Sequence, residues 1–143
     1  MYPSIKASSD AEVAELLRRH GVSPTAQRVL ITRTLLSRIA HFSAEDVFRL
    51  VNTGVGHNVS KATVYNTLGL LASKGVVREV IADPNRIFYD SNTAPHYHFY
   101  EEATGELTDI DAQHIQVSGL PPLPEGTRLQ GIDVIVRLQR KRK

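Results

Sequence analysis

Apolar residues recur at helical spacing through the first half of the chain and alternate with polar ones through much of the second. Ser9-Asp10-Ala11-Glu12 is a capping box, in which Ser9 and Glu12 satisfy each other's backbone donors. Val13, Leu16 and Leu17 then form one stripe, and Gly21 supplies a stop. Ser23-Pro24 predicts a second helix with an N-cap followed by proline at its first position; Val29, Leu30, Leu35 and Leu36 supply its buried face. A third helix starts at Ser43, with Glu45 and Asp46 where the helix dipole favours acids and with Val47, Phe48 and Leu50 facing inward. A fourth begins at Ser60 and closes at Gly75. Val64, Leu68 and Leu71 lie on its core side, which directs Lys61, Thr63, Tyr65, Asn66 and Thr67 toward its N-terminal and outer surfaces.

After Gly75 the period changes. Residues 76–81 and 86–89 read as strands around the turn Asp83-Pro84-Asn85, so the helices are followed by a hairpin. Helices followed by a hairpin make a winged helix, with Arg78 and Arg86 placed to approach backbone phosphate. Asn92 to Pro95 is a break. Strands are predicted over 96–100 and 106–110, a short helix over 111–118, a Pro/Gly loop over 119–126 and a last strand over 128–138, where Ile132, Val134, Val136 and Leu138 alternate. The predicted class is α+β: an N-terminal winged-helix DNA-binding domain over 1–91, then a small α/β dimerisation and metal-sensing domain over 92–143. A sheet this small gains stability from pairing with a second copy.

Charge sharpens the division. Residues 1–82 carry ten Lys/Arg against six Asp/Glu, and residues 83–143 carry seven against nine, so a basic half precedes an acidic one. Four of those seven close the chain, Arg140-Lys141-Arg142-Lys143, and read as a solubilising tail. The polar residues on the fourth helix fit a duplex: asparagine pairs bidentately with adenine, and Tyr and Thr meet thymine methyls or phosphates. A solvated amphipathic helix would show the same pattern. No cysteine is present, which excludes disulfides, thiolate metal sites and thiol redox switches. The absence of a long apolar run or a signal-like N-terminus makes the cytosol the expected compartment and a membrane role unexpected.

The chemistry concentrates at His96-Tyr97-His98. On a strand, residues i and i+2 share a face, so two imidazoles can meet one metal ion. Imidazole suits Zn, Cu, Fe and Ni alike, and two ordinary strand histidines would read the same way. The setting adds weight, because Asp90 precedes the pair by six residues, Asp109 follows it by eleven and His41 lies upstream beside a helix start. His57 is a candidate phosphate contact, and His20 and His114 read as surface residues.

The order of these residues resembles the ferric uptake regulator (Fur) superfamily over nearly the whole chain. Pro24-Thr25-Ala26-Gln27-Arg28 is similar to an early family signature, and His41-Phe42-Ser43-Ala44-Glu45-Asp46-Val47-Phe48 to a second. Ser60-Lys61-Ala62-Thr63-Val64-Tyr65-Asn66-Thr67-Leu68 is similar to the recognition helix. The peroxide-sensing, PerR-like branch matches best, through His96-Tyr97-His98 with Asp90, His41 and Asp109 at its spacings. Glu101 and Thr104 stand where many members carry the first C-x-x-C of a structural zinc site, so no structural zinc is expected. Pro95 and Tyr97 occupy positions that would help build a second site, which implies one metal per subunit. Ser23 replaces a basic residue that many relatives use in the minor groove.

The resemblance implies a dimeric, metal-dependent repressor of operator DNA. His41, Asp90, His96, His98 and Asp109 would bind Fe(II) or Mn(II), and with iron, hydrogen peroxide would leave an added oxygen on His41 or His96. Asp109, where iron-sensing relatives commonly carry glutamate, favours the peroxide reading. An iron- or heme-responsive, Irr-like repressor is the alternative of the same class, although its three-histidine run is not intact here. A non-heme iron enzyme using two histidines and a carboxylate, and a DNA-binding module with a purely structural metal, are the alternatives outside it. The basic, helix-rich half argues against the enzyme.

Overall fold

The computed structural model describes residues 9–37, 41–54 and 58–141. The chain divides into two compact units, Met1–Ala94 and Pro95–Lys143, and the four helices and two small sheets among the described residues make an α+β arrangement.

In the first unit, α1 (Asp10–Arg19) opens with the Ser9–Glu12 capping box. It closes where Gly21 turns to φ 76° and Val22 N donates back to the Leu17 carbonyl, a left-handed step that suits glycine. Helix α2 (Ala26–Leu36) begins two residues later than Ser23-Pro24 predicts, because the Thr25 hydroxyl accepts from Arg28 N and acts as the cap. Its buried face is Ile31, Thr32, Leu35 and Leu36, with Val29 and Leu30 only partly covered. A three-residue strand β1 (His41–Ser43), not foreseen in the sequence, precedes α3 (Ala44–Val51). Ser43 ends that strand and caps the helix with Asp46 in a second capping box.

Asn52 holds the entry to α4 (Lys61–Ser73): its amide donates to the Phe48 and Val59 carbonyls and its oxygen accepts from Val59 N. Ser60 caps α4, and Gly75 at φ 77° ends it. Strands β2 (Arg78–Asp83) and β3 (Arg86–Asp90) form the hairpin, with an irregular register near Ile81 and an Asx turn in which Asp83 Oδ1 accepts from Asn85 N. Strand β1 pairs with the other edge of β3, giving the antiparallel order β1-β3-β2. Val13, Leu17, Ile31, Leu35, Val47, Val64, Leu68 and Leu71 form one apolar cluster with Phe42, Val76, Val77 and Tyr89 from the sheet side.

In the second unit, β4 (His96–Glu101) is central, antiparallel to β5 (Glu106–Asp111) and parallel to β6 (Ile135–Leu138). Alternation on β4 buries His96, His98 and Tyr100 and leaves Phe99 exposed. Two expectations are corrected. The segment after β5 holds only a three-residue 3-10 turn, Ala112–His114, capped by the Asp111 carboxylate, rather than a helix to Ser118. The last strand covers Ile135–Leu138 rather than 128–138, although Val134 O still accepts from His98 N. Along the connection, Val117, Leu120, Leu123 and Leu129 are exposed.

Candidate metal centre and nucleic-acid interface

Each unit assembles its own set of donors. In the first, His41 and Asp90 are register partners across the β1–β3 pairing, which places both side chains on one face. His41 Nε2 stands 3.2 Å from Asp90 Oδ2, and the Asp90 side chain is almost fully buried. The other oxygen, Asp90 Oδ1, accepts from Asn92 N at 2.9 Å, which fixes the carboxylate's rotation. Asn92 is itself buried and accepts from Ala94 N, so the stretch read as a loose break is a pair of successive Asx turns.

In the second unit, His96 and His98 lie on the same face of β4 as predicted, with ring centroids 4.5 Å apart and edge to face. Asp109 is the register partner of His98 on β5. Its Oδ1 stands 3.5 Å from His98 Nε2 and 3.6 Å from His96 Nε2. Both histidines are buried, whereas the Asp109 side chain is 32% exposed. The donor atoms of His96, His98 and Asp109 lie within 4.8 Å of one another. Donors about 2.1 Å from one ion in a tetrahedral set stand roughly 3.4 Å apart, close to the observed His–Asp separations. Asp111, the register partner of His96, is drawn away as the cap of the 3-10 turn.

The donor chemistry is nitrogen and carboxylate oxygen throughout. That set suits Mn(II), Fe(II) and Zn(II) and gives soft ions no thiolate. Sequence reasoning did not anticipate the strand that carries His41. The signal was the inward Phe42 between two partly covered neighbours, hidden because Ser43 also reads as a helix cap.

On α4, Lys61, Tyr65 and Asn66 are exposed as expected, Tyr65 at 43%. Thr63 is half-buried, and its hydroxyl oxygen accepts from Ser60 Oγ at the cap. Thr67 is a correction: it is only 5% exposed, on the side of Val64 and Leu71, because positions 64, 67 and 71 follow the helical repeat into the core. Arg78 and Arg86 differ in setting. Arg78 sits half-buried at the base of the hairpin, in register with Asp90, whereas Arg86 is exposed beside the turn. His57 lies outside the described residues. His20 is half-buried with Nδ1 2.9 Å from the Leu16 carbonyl, and His114 is exposed.

The Glu101–Thr104 turn has its own fastening. Arg140 pairs with Glu101, Arg137 Nη1 pairs with Glu102 at 3.3 Å, and the Arg137 guanidinium lies 5.9 Å from the Tyr100 ring centroid. Arg140 is therefore not part of a loose tail; Arg142 and Lys143 lie outside the described residues. No helix among the described residues is long and apolar enough to cross a membrane.

Comparison with known proteins fits this arrangement. The chain is 31% identical over 122 residues to the peroxide-responsive repressor PerR of Staphylococcus aureus, covering 85% of this chain and 80% of that protein. Its fold is similar to the ferric uptake regulator from Pseudomonas aeruginosa with manganese, at a TM-score of 0.68 and 25% identity, covering 90% of this chain and 97% of that one. It is also similar to the ferric uptake regulator from Francisella tularensis with iron, at a TM-score of 0.67 and 20% identity over 85% and 93% of the two chains. The profile of the ferric uptake regulator family matches residues 19–132, and the chain belongs to that family.

Proposed function

We propose that this metal-responsive regulator is a cytosolic, homodimeric repressor that binds operator DNA when loaded with Fe(II) or Mn(II) and releases it on exposure to hydrogen peroxide. What supports the reading most is the donor set. Two buried histidines with Asp109 in one unit and His41 with buried Asp90 in the other are all nitrogen or carboxylate ligands. All five residues would hold one ion per subunit. Asp90 and His96 are joined by only five intervening residues, which span at most roughly 20 Å even when extended, so the chain tethers the two sets closely.

One ion held by both sets would fix the α4-bearing unit relative to the second sheet. In a dimer that orientation sets the separation of two α4 helices, and operator half-sites are recognised by such a separation. Metal and DNA then strengthen each other's binding reciprocally. The exposed Val117, Leu120, Leu123, Leu129 and Leu138 supply apolar surface for the dimer. Lys61, Tyr65 and Asn66 would contact the duplex, with Thr63 as part of the cap and Thr67 in the core. No structural zinc is expected, because the chain has no cysteine; Arg140–Glu101 and Arg137–Glu102 pair at the turn instead.

Bound iron would supply the electron transfer that reduces peroxide beside the imidazoles. His41 and His96 would be the side chains that take up an oxygen atom, as the resemblance implies. An imidazole so altered is a poorer donor, and the two sets would part. This sensing needs no cysteine. The 31% identity to a peroxide-responsive repressor supports it. Anaerobic duplex binding by metal-stripped and Mn(II)-loaded protein tests the regulatory core of the proposal: the loaded dimer retains a selected duplex that the stripped protein releases. Equal retention by both forms would overturn it.

A further inference from the structure

Lys61, the first residue of α4, is the only lysine among the polar positions this helix presents. Its ammonium does not extend freely into solvent. Nζ stands 2.5 Å from Glu45 Oε1, on the first turn of α3, and 5.8 Å from the centroid of the Tyr65 ring. Both members of the ion pair are more than half exposed, so neither is needed to fill the core. One cation is thus shared between a carboxylate on the neighbouring helix and the face of a candidate base-reading aromatic.

We propose that Glu45 tunes sequence-independent affinity for DNA, as a built-in competitor that occupies Lys61 in place of a phosphate. The inference rests on the DNA-binding reading above. A phosphate oxygen that engages Lys61 must displace the Glu45 carboxylate, since both take the same donors. The gain from that phosphate is reduced on every duplex, whatever its sequence. Contacts made to bases, as by Tyr65 and Asn66, are not reduced in the same way. Glu45 therefore lowers sequence-independent affinity and leaves a larger share of binding to base readout. Moving Lys61 off the Tyr65 ring also uncovers the aromatic face, so phosphate engagement and Tyr65 exposure occur together.

The test uses full-length Mn(II)-loaded protein, a labelled duplex enriched by the wild type from a random pool, and a scrambled duplex of the same composition. Glu45→Gln keeps the side-chain shape and removes the charge. It is expected to tighten binding to both duplexes roughly two- to fivefold, the range of an exposed ion pair. It should also steepen the salt dependence by up to about one counterion. Lys61→Met should weaken both. In the double variant the gain should vanish, leaving the affinity of Lys61→Met alone, because the carboxylate acts through that lysine. Unchanged or weaker binding by Glu45→Gln, or a gain that persists without Lys61, overturns the inference while leaving DNA binding intact. Failure of the wild type to prefer any duplex over the scrambled one overturns the DNA-binding reading and the inference with it.

Discussion

His41 and Asp90 face each other as register partners across the β1–β3 pairing, with His41 Nε2 3.2 Å from Asp90 Oδ2. His41 lies two residues before the Ser43 cap of α3, and Asp90 ends the hairpin that follows α4. The pairing therefore ties the helical core to the last strand before the second unit. Asp90→Asn keeps the shape and the Asn92 contact but weakens the carboxylate as a donor. It should lower Mn(II) affinity about ten- to hundredfold, the loss typical when a group supporting or forming a metal site is changed. Calorimetric titration checks this, with thermal melting of the metal-free protein as control; full-strength, stoichiometric binding by the variant would remove Asp90 from the ligand set.

Exposure on α4 separates two threonine and tyrosine positions that the sequence grouped together. Tyr65→Ala should weaken duplex binding roughly five- to 150-fold, which corresponds to the loss of about 1–3 kcal/mol for a base-directed contact. Mn(II) affinity should not move. Thr67→Val, at a buried position, should leave duplex affinity unchanged. Fluorescence anisotropy on one duplex measures both variants, and a strong loss from Thr67→Val would return that residue to the reading surface.

The Ser43–Asp46 capping box links β1 to α3 and makes a pH prediction. Burial acts to raise the Asp46 carboxyl, but hydrogen bonds from the Ser43 amide and hydroxyl and the Arg49 guanidinium outweigh it and hold Asp46 below the ordinary carboxylate range. A carboxyl depressed in the folded state stabilises above its unfolded pKa, near 3.9, and that contribution is lost as pH falls through the lower folded value. Ser43→Ala should cost about 1 kcal/mol at neutral pH. The gap between variant and wild type should narrow below about pH 4 in urea titrations. A gap independent of pH would mean that Asp46 does not act through the cap.

Arg140 and Glu101 make a prediction about salt. The Glu101 side chain is only 14% exposed, whereas Arg140 is largely in solvent. Arg140→Ala should lower thermal stability by an amount worth up to about 1 kcal/mol, and the difference should shrink in 1 M NaCl. Exhaustive chelation of the purified protein should leave it folded. A chelator-dependent fold with bound zinc would contradict the assignment of this fastening to arginine and glutamate.

Much of this organisation was legible in the sequence because its signals are local. The Ser9, Ser43 and Ser60 caps, the Gly21 and Gly75 stops and the i, i+2 placement of His96 and His98 each depend on a few neighbours. What was hidden depends on partners distant in sequence. Strand β1 exists because β3 offers an edge, and three residues carry no alternation of their own. The long apolar alternation ending at Leu138 forms ladder pairs only from Ile135, where β4 lies alongside. Thr67 looked outward by composition, but its place in the helical repeat put it with Val64 and Leu71. The Thr25 cap displaced Ser23 because its hydroxyl, two residues on, reaches Arg28 N.

The most direct test of the central claim is anaerobic duplex binding by Fe(II)- and Mn(II)-loaded protein before and after low hydrogen peroxide, followed by peptide mass mapping. The account predicts that both forms bind, that only the iron form releases the duplex, and that the released protein carries an added oxygen on His41 or His96. Iron- and manganese-loaded protein that both remain bound, with neither histidine altered, would contradict peroxide sensing and leave a regulator that responds to metal alone.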